Sequence, residues 1–282
     1  MILVNKNAEI FVPDNKPINQ AISRTTHMAI AAHPDDLEIM AYDGILKCYN
    51  NKNKWFCGVV VTNGSGSPRG GTYSNYSNEK ICEIRKTEQK KAAVIGKYGS
   101  VILLDYASSE VKNSKNKNPE KDMLELLKLT KPEVVYIHNL ADKHDTHIAV
   151  ALRTIQAIRE LPDNLKPKYV YGCEVWRDLD WLSDEDKIIF DVSANEKLAK
   201  RLLSVFHSQT CGGKRYDLAT IARRKTNATF ISFNKIDNAT SFIYAMDLTP
   251  LIKNKHLNIK KYMLKYINKF SLEVSGKIEK II

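Results

Sequence analysis

No apolar run in this chain approaches the roughly 18 residues that a membrane-spanning helix needs, so membrane insertion is not expected. The start, Met1-Ile2-Leu3-Val4-Asn5-Lys6, lacks a basic stretch leading into a long apolar core and a small-residue cleavage site. A cytoplasmic protein is therefore expected. Cysteine is scarce and odd in number: Cys48, Cys57, Cys82, Cys173 and Cys211 are widely spaced, with no Cys-x-x-Cys pair. That spacing excludes a disulfide framework and a structural zinc cluster, and points to reduced, mostly buried thiols. Phosphate-cradling glycine motifs are missing too. The segment Asn63-Gly64-Ser65-Gly66-Ser67-Pro68-Arg69-Gly70-Gly71 matches neither the Walker pattern nor the dinucleotide fingerprint. It reads as a mobile loop over a sheet edge that could carry Arg69 toward a substrate. No internal repeat is present.

What the chain has is length for a sizeable core and an excess of lysine. Its 282 residues carry a net charge of +11, but the lysines are spread among Asn and Ile along the whole chain. No aromatic residues alternate with arginine as in single-strand binding platforms, so no nucleic-acid partner is expected. Short apolar runs at 27–32, 56–62, 101–104, 134–138 and 169–176 read as strands. Helical patterns at 37–49, 79–97, 119–129 and 148–160 lie between them. Strands alternating with helices imply βαβ units and a mostly parallel sheet covered on both faces. The right-handed crossover rule then makes an α/β, Rossmann-like three-layer α/β/α sandwich the simplest fold. One domain is expected over 1–282, with a catalytic core at about 25–180. The part at about 181–282 adds strands at 188–192, 230–233 and 241–246, a helix at 196–206, and a Lys-rich amphipathic tail that docks on the domain or on another subunit.

The chemistry gathers at two strand ends, where open α/β sheets place their sites. Ala31-Ala32-His33-Pro34-Asp35-Asp36 follows the first long apolar run. Pro34 pushes His33 out of helical geometry, and Asp35 and Asp36 then open a helix whose positive end favours anions. Capping alone would explain an aspartate but not the adjacent histidine and second carboxylate. The partner segment is Asp142-Lys143-His144-Asp145-Thr146-His147, after the apolar run Val134–Ile137. His144 and His147, three apart at a helix start, share one face. His and Asp from the first segment with His from the second make a two-histidine, one-carboxylate metal site with open coordination. His138, Glu38 and Asp43 read as structural.

In these residues the chain resembles the LmbE-like, or PIG-L, family of zinc-dependent N-deacetylases. The resemblance rests on Ala32-His33-Pro34-Asp35-Asp36 and on the later His-x-x-His. Arg85 and Glu88 in Glu83-Ile84-Arg85-Lys86-Thr87-Glu88 and the pair Leu104-Asp105 add to it. It covers about residues 25 to 180. Carried over by position, it implies His33, Asp36 and His147 as zinc ligands, Asp35 as the general base, and His144 as the group that polarises the amide carbonyl or stabilises the oxyanion. Members with His-Pro-Asp-His have a carboxylate directly before the ligand histidine. Thr146 stands there in this chain, so either Asp145 or Asp142 substitutes for it in catalysis, or the histidine works with a lower pKa. A His-Asp-His set also accepts iron or other divalent ions in place of zinc.

Candidate substrate contacts are Arg69, Arg85, Asp105 and Trp176, the last able to stack on a sugar ring or to sit as a core aromatic. Residues 208–216 read as a substrate rim or as a helix end capped by glycine. The resemblance implies removal of an N-acetyl group from an amino sugar, such as N-acetylglucosamine, or its conjugate. The alternatives are the same zinc chemistry on another amide (a thiol-sugar conjugate or an acylated metabolite), or a non-catalytic Rossmann-like binding module.

Overall fold

The buried apolar runs become the centre of one eight-stranded mixed sheet in the computed structural model, which describes residues 2–211 and 213–282. In chain order the strands are β1 (Glu9–Phe11), β2 (His27–Ala31), β3 (Phe56–Thr62), β4 (Ser100–Tyr106), β5 (Val134–His138), β6 (Tyr169–Cys173), β7 (Lys187–Asp191) and β8 (Phe242–Asp247). They lie side by side as β1-β4-β3-β2-β5-β6-β8-β7. The five strands from β4 through β6 run parallel, while β1 pairs antiparallel with β4 and β8 antiparallel with both β6 and β7. The strands supplied by the C-terminal part therefore extend the same sheet.

Alternate residues of each parallel strand feed two apolar clusters, as period-two side-chain alternation requires. Met28 and Ile30 pack with Val135, Ile137 and helices Asn118–Thr130 and Asp145–Arg159. Ala29, Ala31, Val60 and Tyr136 pack with helices Tyr42–Cys48, Asn78–Ile95 and Glu196–Ser204. Every residue of β2, β3 and β5 is buried, which is why these strands read as unbroken apolar runs rather than alternating ones.

Chain order reverses between β2 and β5. From β2 the chain moves outward to β3 and β4, then returns to lay β5 against the other side of β2. The crevice at the carboxyl ends of β2 and β5 is thus the switch point where such sheets bind ligands. Both histidine segments leave the sheet there.

Two expectations fail for identifiable reasons. The helix expected over 37–49 is two, Asp36–Met40 and Tyr42–Cys48, with Ala41 at φ −113° between them. Arg224 donates to the carbonyls of Glu38 (2.8 Å) and Ile39 (3.2 Å), taking acceptors that a continuous helix would use. Phe230–Phe233 is not a strand. Phe230 ends helix Tyr216–Phe230, which the sequence did not reveal, and Phe233 is 97% exposed. The tail forms helix Ile259–Glu279, which buries Tyr262, Met263 and Tyr266 against the core. Among the described residues no helix is long and apolar enough to cross a membrane.

Candidate metal centre

Leaving β2, the chain turns sharply at His33-Pro34. Asp35 adopts φ 89°, a conformation rare for any residue with a side chain, and accepts no capping hydrogen bond. It precedes the helix instead of lying in its first turn. Strain of this kind persists only where the surroundings enforce it, and helix Asn78–Ile95 does so from two sides. Arg85 Nη2 donates to the Pro34 carbonyl at 2.7 Å, and the Asp35 N–H donates to Gln89 Oε1 at 3.2 Å. Gln89 is tied in turn by donating to Glu38 Oε1 at 2.8 Å, an oxygen that also accepts from Tyr98 at 2.7 Å. Arg85 also donates to the Gly64 carbonyl at 3.3 Å and stands 3.6 Å from the Asp35 carboxylate.

The turn delivers three donor atoms to one point. His33 Nδ1 is 3.1 Å from Asp36 Oδ2 and 3.1 Å from His147 Nε2, and the remaining edge, His147 Nε2 to Asp36 Oδ2, is 3.3 Å. Three ligands at about 2.0 Å from a tetrahedral ion lie about 3.3 Å apart, so the triangle has the dimensions of a metal's face. Its chemistry, two imidazole nitrogens and a carboxylate oxygen, fits a divalent metal, and the expected set His33, Asp36 and His147 is brought together.

His138 approaches the same carboxylate, with Nε2 3.6 Å from Asp36 Oδ2. That nitrogen already accepts the Ala32 N–H at 2.8 Å, so its lone pair is directed away from the triangle. The ring stacks on His147 with centroids 3.9 Å apart and serves as its backing.

The charges on the site are sharply divided. Burial works against a charged Asp36, yet His147 and His33 hold its carboxyl well below the usual range. Burial drives the neighbouring Asp35 well above it, with Arg85 pulling the other way. Burial brings His33 down to about 4, whereas Asp36 and Asp142 overcome it at His147 and hold that imidazole at about 9.

Of the acids near the second motif, Asp142 turns inward and Asp145 outward. Asp142 accepts from the backbone N–H of His144 (2.9 Å) and of Trp176 (3.1 Å), and its Oδ1 lies 3.4 Å from His147 Nδ1. Asp145 is exposed at the first position of its helix. Thr146 is buried, and its N–H donates to His144 Nδ1 at 3.2 Å. A neutral His144 therefore carries its proton on Nε2; burial keeps this imidazole's pKa below the ordinary value. It lines the site with its ring 4.7 Å from that of His147.

Above the triangle lies a cavity of about 660 Å³, walled among others by His33, Asp35, His144, Arg85, Trp176 and Tyr216. Arg85 and Trp176 are there as expected. Arg69 and Asp105 are not among its walls. Arg69 is spent holding its own loop, donating to the carbonyls of Tyr76 and Ser65, each at 2.9 Å, and to the Asn78 side chain. Asp105 pairs with Lys86 at 2.8 Å. The segment expected as a rim contributes Gln209, Lys214 and Tyr216, while Gly212 lies outside the described residues. Glu88 fixes that segment by accepting from the N–H and hydroxyl of Ser208 at 2.7 and 2.6 Å.

Residues 28–158, which hold all three donors, match the protein family described as PIG-L: GlcNAc-PI de-N-acetylase. This segment is a PIG-L domain. Solved structures agree on the fold. The N,N'-diacetylchitobiose deacetylase from Pyrococcus horikoshii is 16% identical with a TM-score of 0.63, over 86% of this chain and 90% of that one. A conserved protein from Thermus thermophilus is 15% identical with a TM-score of 0.60, over 83% and 99%. GalB, the 4-carboxy-2-hydroxymuconate hydratase from Pseudomonas putida, is 15% identical with a TM-score of 0.57, over 79% and 96%. No curated protein matches the sequence. The fold is thus shared with a hydratase as well as a deacetylase, and the site must decide the chemistry.

Proposed function

We propose that this protein is a metal-dependent hydrolase that removes the N-acetyl group from an amino sugar or its conjugate, with N-acetylglucosamine as the sugar. The reading includes the three-layer Rossmann-like arrangement expected from the sequence. The observation that carries it is the triangle of His33, Asp36 and His147 with Asp35 beside it, at the floor of a cavity in a PIG-L domain. A divalent ion held there, zinc by family resemblance, supplies acidification of a water and polarisation of an acyl oxygen.

The chain's residues do the rest. Adjacent carboxyls with opposite shifts divide the labour: Asp36 stays ionised and holds the metal, while Asp35 is the group that takes and returns a proton. Asp35 receives the proton of the attacking water and passes it to the departing amine, as one positioned acid–base group can in both halves of acyl transfer. His144, with Nδ1 occupied by the Thr146 N–H, offers Nε2–H to the oxygen on which charge develops. Asp142, whose carboxylate lies 3.4 Å from His147 Nδ1, is the acid placed to support that imidazole through its charge, the part the sequence left to Asp145 or Asp142. Trp176, 37% exposed on the wall, provides a face for a sugar ring.

The test is release of acetate from N-acetylglucosamine glycosides by metal-loaded protein. Deacetylation that is lost on chelation and restored by a divalent ion is the expected result. Hydration of an unsaturated acid without acetate release would assign the site to the other chemistry found on this fold.

A further inference from the structure

Glu38, expected from the sequence to be structural, is an unusual choice for a core position. It is 1% exposed, and no Lys, Arg or His nitrogen stands within 4.0 Å of its carboxylate among the described residues. Oε1 accepts from the Tyr98 hydroxyl at 2.7 Å and from Gln89 Nε2 at 2.8 Å, while no described group donates to Oε2. A buried acid with one oxygen unused and no cation beside it stabilises a core poorly. What this one does is orient an amide.

Gln89, fully buried in helix Asn78–Ile95, ends in a donor and an acceptor of nearly equal shape. Glu38 Oε1 accepts from its NH2, which turns its carbonyl the other way, onto the Asp35 N–H at 3.2 Å. The reverse orientation would set acceptor against acceptor and donor against donor, losing both bonds. The Asp35 N–H belongs to the same peptide unit as the Pro34 carbonyl, which accepts from Arg85 Nη2 at 2.7 Å. Arg85 and Gln89, four apart on one helical face, therefore grip a single peptide plane at both ends.

Without that grip the plane can turn over. A half-turn would carry φ of Asp35 from 89° to about −90°, which with ψ −31° is ordinary right-handed helical backbone. The relaxed arrangement is thus the one the sequence predicts, with Asp35 inside the first helical turn. Backbone nitrogen and Cβ share the Asp35 Cα, so the carboxylate shifts as the plane turns. A displacement of about 1 Å at a reacting group can cost on the order of a hundredfold in rate.

We propose that Glu38, acting through Gln89, is a positioning residue that keeps the Pro34–Asp35 peptide from turning over and so aims the Asp35 carboxylate at the cavity floor. This rests on the reading of Asp35 as the acid–base group of a deacetylase and adds to it the device that holds that group.

The experiment measures kcat and KM for acetate release from methyl N-acetylglucosaminide, with bound metal and denaturant stability on the same samples. Gln89→Met removes the acceptor of the Asp35 N–H while filling the same space. Its kcat should fall by about tenfold or more, with KM and bound metal unchanged. Gln89→Glu sets two acids face to face and should lose as much. The Glu38→Gln, Gln89→Glu double variant exchanges the two groups: the relocated amide donates to the relocated carboxylate, whose second oxygen takes the Asp35 N–H. Its kcat should return to within about threefold of wild type. Should Gln89→Met not fold, the comparison of Gln89→Glu with the double variant decides. An unchanged kcat in Gln89→Met, or losses that follow stability with no recovery on exchange, overturns the proposal and leaves the deacetylase reading standing. If wild-type protein releases no acetate, the deacetylase reading fails, and hydrogen exchange at the Asp35 amide decides the clamp by itself. Exchange about tenfold or more faster in Gln89→Met supports it; unchanged exchange rejects it.

Discussion

Asp142 Oδ1 stands 3.4 Å from Nδ1 of His147, the ring nitrogen opposite the one that meets His33 and Asp36. Both oxygens of that buried carboxylate are held, one by the His144 N–H and the other by the Trp176 N–H. The acid is therefore held in place with its charge beside the histidine. Asp142→Asn should weaken metal affinity by about 10–100-fold, measured by competition with a chromogenic chelator. Asp145→Asn, on the exposed side, should leave affinity unchanged.

Asp35 approaches the triangle without forming one of its edges. Asp35→Asn should retain bound metal while turnover falls by about 10²–10⁴-fold, the range of a lost general acid–base group. Metal analysis and acetate assay on the same sample check this. Loss of metal in parallel with activity would make Asp35 a ligand instead.

The strained turn depends on Arg85, and Arg85 depends on Gly64. Gly64 has φ +70°, and a Cβ there would lie 2.6 Å from Arg85 Nη1, whereas a Cβ at Gly66 would meet nothing within 4 Å. Gly64→Ala should destabilise the fold by about 1–3 kcal/mol and lower kcat by loosening Asp35. Gly66→Ala should stay within about 0.5 kcal/mol. Denaturant melts with parallel kinetics distinguish the two.

At the opposite end of β2, burial lowers His27 to about 4 from its ordinary value of 6.5. The unfolded chain binds the proton more readily, so this histidine's contribution is fully present above pH 6.5 and is lost as pH falls toward 4. Because the residue is incompletely shielded, the loss is on the order of 2 kcal/mol. Stability of the wild type should fall over that window, and His27→Gln should flatten the curve. An unaltered slope would remove His27 as its source.

The parallel core and the three donor atoms were legible in the sequence because both depend on local order. Fully buried strands announce themselves as apolar runs, and a ligand placed directly after such a run has few ways to leave the crevice. What escaped depends on contacts across distant segments. Nothing local to Gln89 shows that its amide will hold the backbone of Asp35, and nothing local to Arg224 shows that it will break a helix 185 residues away. Asp142 did leave a trace, since Asp two residues before a histidine favours an Asx turn, and that turn aims its carboxylate inward. Arg69 was misread for the same reason in reverse: its loop supplies enough carbonyls to absorb the guanidinium. Phe230–Phe233 resembled a strand because exposed and buried apolar residues are alike in sequence.

The central claim is that His33, Asp36 and His147 hold one catalytic divalent ion. Elemental analysis of the purified protein, with acetate release measured on the same preparation, tests it most directly. The account predicts one ion per chain and active wild-type protein, with ion and activity both lost in His33→Ala, Asp36→Ala and His147→Ala. Acetate release that persists in protein stripped of metal, or an ion retained undiminished by the triple variant, would contradict it.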